Sequence, residues 1–172
     1  MISAFLVAYH DLVPVAFFLI ALACVGVGYL ALRQPRSGRW LLWGPLCLST
    51  LPVIALTLVP ASTSGAADVG CTVQFSVPTL GGVENLANIA LFFPLAFFAA
   101  LVTRHPLLTL VAGSSLSVAI EALQAVAPAI GRACDTNDWL MNTIGTVVGV
   151  LLAWVTMTLA NRIGAKKAME VR

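Results

Sequence analysis

The sequence predicts an all-α, polytopic membrane protein with five transmembrane helices, N-terminus outside and C-terminus inside. Three observations carry this. Of the 172 residues, 60% are hydrophobic and only 9% are charged, whereas a soluble domain carries roughly 25% charged residues. The apolar residues gather in stretches about as long as the ~20 residues that cross a bilayer as a helix. The basic residues then sort to one side. Arg33, Arg36, Arg39, Arg104, Arg162, Lys166, Lys167 and Arg172 fall in segments assigned inside, and only Arg132 falls outside. Short loops rich in Arg and Lys stay on the cytoplasmic side.

The first span is 12–32, with Pro14 in its first turn, where a missing N–H does little harm. The loop RQPRSGR follows. The second span, 40–59, opens on Trp40 and Trp43, rings suited to a membrane interface, and carries Pro45 and Pro52, which should bend it. Residues 60–83 are small, polar and rich in Gly and Pro, hence a loop, with a short extended piece at CTVQFSV where polar and apolar residues alternate. The third span runs from Glu84 to Val102 with Pro94 in its middle. A four-residue loop, TRHP, leads to the fourth, 107–127, whose Gly113, Ser114, Ser115 and Ser117 suit close packing with hydroxyls bonded back to their own helix. The fifth span is Trp139–Ala160, with Asp138 or Asn137 capping its start. Asn142, Gly145 and Gly149 form one stripe on it, and GTVVG is a small-xxx-small pattern for close helix approach. These spans form a single membrane domain over 1–172.

Several chemistries find no support. The basic residues lack interleaved aromatics, which argues against nucleic acid as a partner. None of the four cysteines stands in a CxxC pair, so zinc-ribbon and thioredoxin-type sites have no basis. The opening MISAFLVAYHD lacks the positive region of a removable signal peptide. His10 and His105 fall on opposite sides of the membrane and cannot act together. Cys24 and Cys47 lie in spans as small packing residues. Cys71 and Cys134 lie in the two outer loops, on the oxidising side, where they either pair as a disulfide or stay as free thiols.

The polar residues converge at one depth. Glu84, Asn85 and Asn88 open the third span, Glu121 and Gln124 lie near the end of the fourth, and Asp138 and Asn142 begin the fifth. At about 1.5 Å rise per residue, Glu121 sits roughly 10 Å inside its helix. An ionised carboxylate there needs a partner or water, and Arg132 on the linking loop is the candidate. Glu121, Arg132 and Asp138 are therefore expected to share one outer-facing site, with Asn88, Gln124, Asp135 and Asn142 around them. The alternative is a network that only holds helices together.

These residues resemble a family. N-x-x-x-F-x-P (Asn88, Phe92, Pro94), E-x-x-Q (Glu121, Gln124), G-R (Gly131, Arg132) and D-x-x-D-x-x-x-N-T-x-G-x-x-x-G (Asp135, Asp138, Asn142, Thr143, Gly145, Gly149) are similar to the VanZ-like family over about 84–152. Ala96 departs from the pattern, standing shortly after the proline where members often carry glycine. The resemblance implies a small bacterial plasma-membrane protein of the cell envelope, in a family named after a protein of teicoplanin resistance.

Three functions follow as expectations. The first is binding or handling of an amphiphilic envelope molecule: a lipid-linked precursor, a phospholipid or a lipoglycopeptide. Arg132 would grip a phosphate or carboxylate, and Glu121 and Asp138 would take hydroxyls, an amine or a divalent cation. The second is an enzyme on a lipid headgroup, with Glu121 and Asp138 as acid–base or metal-holding groups. The third, transport, fits least, because transporters place ionisable residues near the midplane and these lie near one face. The residues specify no cofactor and no oligomeric state.

Overall fold

The computed structural model describes residues 12–34, 37–58, 71–79, 82–127 and 133–170. Five helices account for nearly all of them: α1 (Leu12–Leu32), α2 (Gly38–Leu58), α3 (Val83–Thr103), α4 (Pro106–Val126) and α5 (Thr136–Glu170). Each is long and apolar enough to cross a membrane. The protein is therefore the all-α, five-span membrane protein that the hydropathy pattern predicts.

Helix ends follow local chemistry. Arg104 ends α3 in the left-handed conformation (φ 59°), its N–H bonded to Ala100 O at 2.9 Å. Pro106 then starts α4 at its first position, where a missing N–H is harmless. The start of α5 differs from the expected one. Asp135 Oδ1 accepts the N–H of Asn137 at 2.8 Å, so the cap is Asp135 rather than Asp138 or Asn137. The helix consequently begins three residues before Trp139, and it continues beyond Ala160.

Side-chain contacts set the direction of each helix. Phe17 meets Phe93 edge-on at 5.7 Å, and Gly28 faces Phe97 and Leu101, so α1 and α3 run the same way. Gly145 lies against the backbone of Ile89, and Gly149 against that of Phe93 and Phe97, so α5 runs parallel to both. On α4, Gly113 meets Thr146 and Ser117 meets Asn142, so α4 is antiparallel to α5.

The central helix is α3, in contact with all four others, and its widest contact is with α5. Phe92, Phe93, Phe97 and Ala100 on it are completely buried. The glycines explain this seam. A Cβ at Gly145 would collide with Ile89 O, and one at Gly149 would press on Phe97 N at 3.0 Å, so only glycine lets the two backbones approach so closely. Ala96 fits into the same seam, its Cβ 3.1 Å from where a Gly149 Cβ would stand.

Two short strands join the segment after residue 70 to the start of α5. β1 (Cys71–Thr72) pairs in parallel with β2 (Cys134–Asp135), in the register Cys71–Cys134 and Thr72–Asp135. A disulfide joins Cys71 to Cys134, with Cα atoms 4.5 Å apart and 63 residues of sequence separation. Beyond β1 residues 73–79 are all exposed, and among them Gln74 and Ser76 bond to the start of α5. This end of the bundle is called the disulfide end below. At the opposite end stand Arg33, Arg39, Arg104 and Arg162, all exposed.

Candidate functional site

The polar residues of α3, α4 and α5 meet at the disulfide end. Asn88 on α3 donates from Nδ2 to Asp138 Oδ1 on α5 at 2.6 Å. One turn earlier on α3, Asn85 accepts from Asn137 Nδ2 at 2.8 Å and donates to Ser76 Oγ at 2.8 Å. The Ser76 hydroxyl and N–H both donate to Asn137 Oδ1, which closes a ring of three side chains. Gln74 bonds through its amide to Asp135 Oδ2, and its backbone exchanges bonds with the Thr136 hydroxyl. The extended chain after β1 is thus sewn to the first turn of α5.

Glu121 is the most withdrawn acid among the described residues, 7% exposed on α4. Its Oε2 accepts the backbone N–H of Asp135 at 2.9 Å, and both Asp135 and Asp138 lie within its electrostatic reach. Ser117, one turn along α4, accepts from Asn142 Nδ2 at 2.9 Å. Asn142 is 3% exposed, and its Oδ1 is buried with no hydrogen-bond partner among the described residues. A buried oxygen of this kind has room for one more donor, whether a water, a ligand or a residue outside those described.

The residues named from the sequence therefore separate into groups. Asn88, Glu121, Asp135, Asp138 and Asn142 converge. Gln124 does not join them. It donates from Nε2 to Thr57 O on α2 at 3.1 Å and stitches α4 to α2 instead. Residues three apart on a helix stand roughly 60° apart around it, enough for Glu121 to face α5 while Gln124 faces α2. Glu84 is exposed and outside the cluster. Arg132 and Gly131 lie outside the described residues, as do Arg36, Asp68 and His10. His105 occupies the N-cap position of α4, at the opposite end, without a side-chain capping bond.

A profile of the VanZ/LLP1 family matches residues 16–158, from α1 into α5. The chain belongs to the VanZ/LLP1 family. Comparison with curated proteins and with solved structures returned no match. The match extends well beyond the motif-bearing stretch 84–152 into the first two helices.

In this VanZ/LLP1 protein, part of the network was hidden from sequence reasoning. Ser114 and Ser117 do not simply bond back to α4. Ser114 Oγ lies 3.1 Å from Thr143 Oγ1 and accepts from Trp139 Nε1 at 3.2 Å, so both serines join α4 to α5. Asn137, read only as a cap, is the hub of the Asn85–Ser76 ring. Gln74 and Ser76 carried one faint signal, the alternation of CTVQFSV. Chemically, the centre holds two kinds of acceptor, the Glu121 and Asp138 carboxylates and the Asn142 amide oxygen. Among the described residues, no three of His, Cys, Asp and Glu come together to hold a metal ion.

Proposed function

We propose that this VanZ/LLP1 membrane protein binds the polar headgroup of an amphiphilic envelope molecule at the disulfide end, with Glu121, Asp138 and Asn142 as acceptors. One observation carries the proposal. Asn142 Oδ1 is left without a hydrogen-bond partner among the described residues, in a network where its neighbours are paired. Glue between helices is satisfied when its members bond to each other. A leftover acceptor on the same face as Asp138, beside a buried carboxylate, asks for a donor from outside. A sugar hydroxyl or an amine supplies one. Arg132, on the loop between α4 and α5, would take a phosphate or carboxylate of the same headgroup.

The disulfide end faces the outside of the bacterial plasma membrane in this proposal, because Arg33, Arg39, Arg104 and Arg162 stand at the other end. A cytoplasm-active reporter fused after Arg172 should then work, and a periplasm-active one should not. The ligand classes to test are a lipid-linked wall precursor, a phospholipid and teicoplanin, the last because the family takes its name from resistance to it. Each is added to the purified protein and the melting temperature is followed. A ligand that raises it for the wild type should have no effect on Glu121→Gln, while both proteins melt at similar temperatures alone. Equal stabilisation of Glu121→Gln by every ligand that binds would refute the proposal.

A further inference from the structure

A second candidate site lies away from the polar cluster. Between α3 and α4 runs a cavity of about 290 Å³, lined on α3 by residues from Phe92 to Thr103 and on α4 by residues from Leu108 to Leu116. It exists because its walls are built from small residues: Ala96, Ala99, Ala112 and Gly113. The floor is buried, at Ala96 and Thr109, whereas Leu108 and Leu116 on the rim are exposed. The cavity is therefore a groove open sideways to the membrane.

Its shape and chemistry select the occupant. The few hydroxyls around it are already engaged: Thr103 donates to Ala99 O at 2.8 Å, Thr109 to His105 O at 3.1 Å and Thr146 to Asn142 O at 2.9 Å. Each hydroxyl hydrogen is spent on a backbone carbonyl, so these threonines offer no free donor, and apolar cavities stay dry and take apolar guests. The eleven helical steps of α3 from Phe92 to Thr103 span about 16 Å at ~1.5 Å per residue. That is close to half of the roughly 30 Å hydrocarbon thickness, the depth of one leaflet.

Towards the disulfide end, Phe92 on the groove wall packs with Val53 and Ile120 in a buried apolar cluster, and Thr146 beside it donates to Asn142 O. Towards the arginine end it reaches Thr103, and the next residue is Arg104, exposed on the turn between the two helices. A cation at the mouth of a chain-sized apolar groove matches an anionic lipid: hydrocarbon inside, phosphate at the turn.

We infer that the α3–α4 groove holds one acyl chain of an anionic phospholipid from the leaflet at the arginine end, with Arg104 beside its phosphate. This site lies nearer the arginine end than the headgroup acceptors and adjoins them at Thr146, whose hydroxyl donates to Asn142 O.

The test uses the full chain in lipid nanodiscs doped with phosphatidylglycerol carrying a photoactivatable diazirine in its acyl chain. After illumination, the labelled peptides should map to 95–103 and 108–116. Label spread evenly over lipid-facing residues such as Phe18, Leu48 and Leu151 would overturn the inference. So would equal labelling by phosphatidylcholine with the same chain. Ala99→Leu and Ala112→Leu fill the groove from opposite walls, and each should lower this labelling at least ten-fold. Arg104→Asn keeps a residue that tolerates the left-handed turn. It should reduce the preference for phosphatidylglycerol over phosphatidylcholine about five-fold, the effect of one cation at a membrane surface. Unchanged labelling in whichever filled variant folds, or an unchanged lipid preference in Arg104→Asn, would refute the site.

Discussion

At the disulfide end, side chains from three helices and one extended segment bond to one another. At the arginine end, the described cations stand exposed, Arg33 over the Tyr29 ring at 5.8 Å, and the helices meet through apolar packing. The contrast follows from solvent. Asn88, Glu121 and Asn142 are drawn a turn or more below the helix ends, where water is scarce and polar groups seek partners. Arg33, Arg39, Arg104 and Arg162 remain at the aqueous edge, where water serves as well. One end is consequently ordered by specific bonds, and the other is available for lipid.

Four perturbations test this contrast between the two ends. The largest effect is expected from removing the disulfide. In the chain-entropy account, a closed loop of this length contributes on the order of 4 kcal/mol. Cys134→Ser, or reductant added to the wild type, should lower the melting temperature, and protease should then cut first between β1 and α3. An unchanged melting temperature would mean that the bonds of Gln74 and Ser76 hold the segment unaided.

Next comes the seam beneath the polar cluster. Gly145→Val drives a side chain into the Ile89 backbone, so its cost should reach about 3 kcal/mol, the top of the usual overpacking range. The yield of folded protein in membranes reads this out. A mild effect there would place the order of the disulfide end in its polar bonds alone.

Those bonds are tested by Asn137→Leu, which strands Asn85 and Ser76. Ser76 is exposed and Asn85 half-buried, so water replaces part of what is lost and the cost should be about 1 kcal/mol, the net worth of a hydrogen bond; thermal unfolding in one detergent would show it. The smallest effect belongs to the other end. Arg39→Gln and Arg162→Gln should stay within about 0.5 kcal/mol of the wild type, as exposed substitutions do. A loss as large as that of Asn137→Leu would erase the distinction between the ends.

What the sequence determined by itself is what depends on neighbours along the chain. Hydropathy over a window of span length placed the five helices, and Pro106 and Arg104 marked the turn between α3 and α4. The i, i+3, i+7 stripe of Asn142, Gly145 and Gly149 announced a close helix contact, because helical period alone puts those residues on one face. The depth of the polar residues was legible for the same reason. The tertiary structure decided who meets whom. Gln124 turns to Thr57 of α2, Glu121 to the N–H of Asp135, and Asn137 to Asn85 and Ser76. Several of these partners stand some sixty positions away in sequence, and small rotations of a helix select among them. The groove was equally hidden: Ala99 and Ala112 become its walls only because α3 packs on α5 and leaves α4 standing apart at that depth. Local sequence controls where a helix begins and which side is oily, whereas the rotation and separation of helices are set by packing between distant segments.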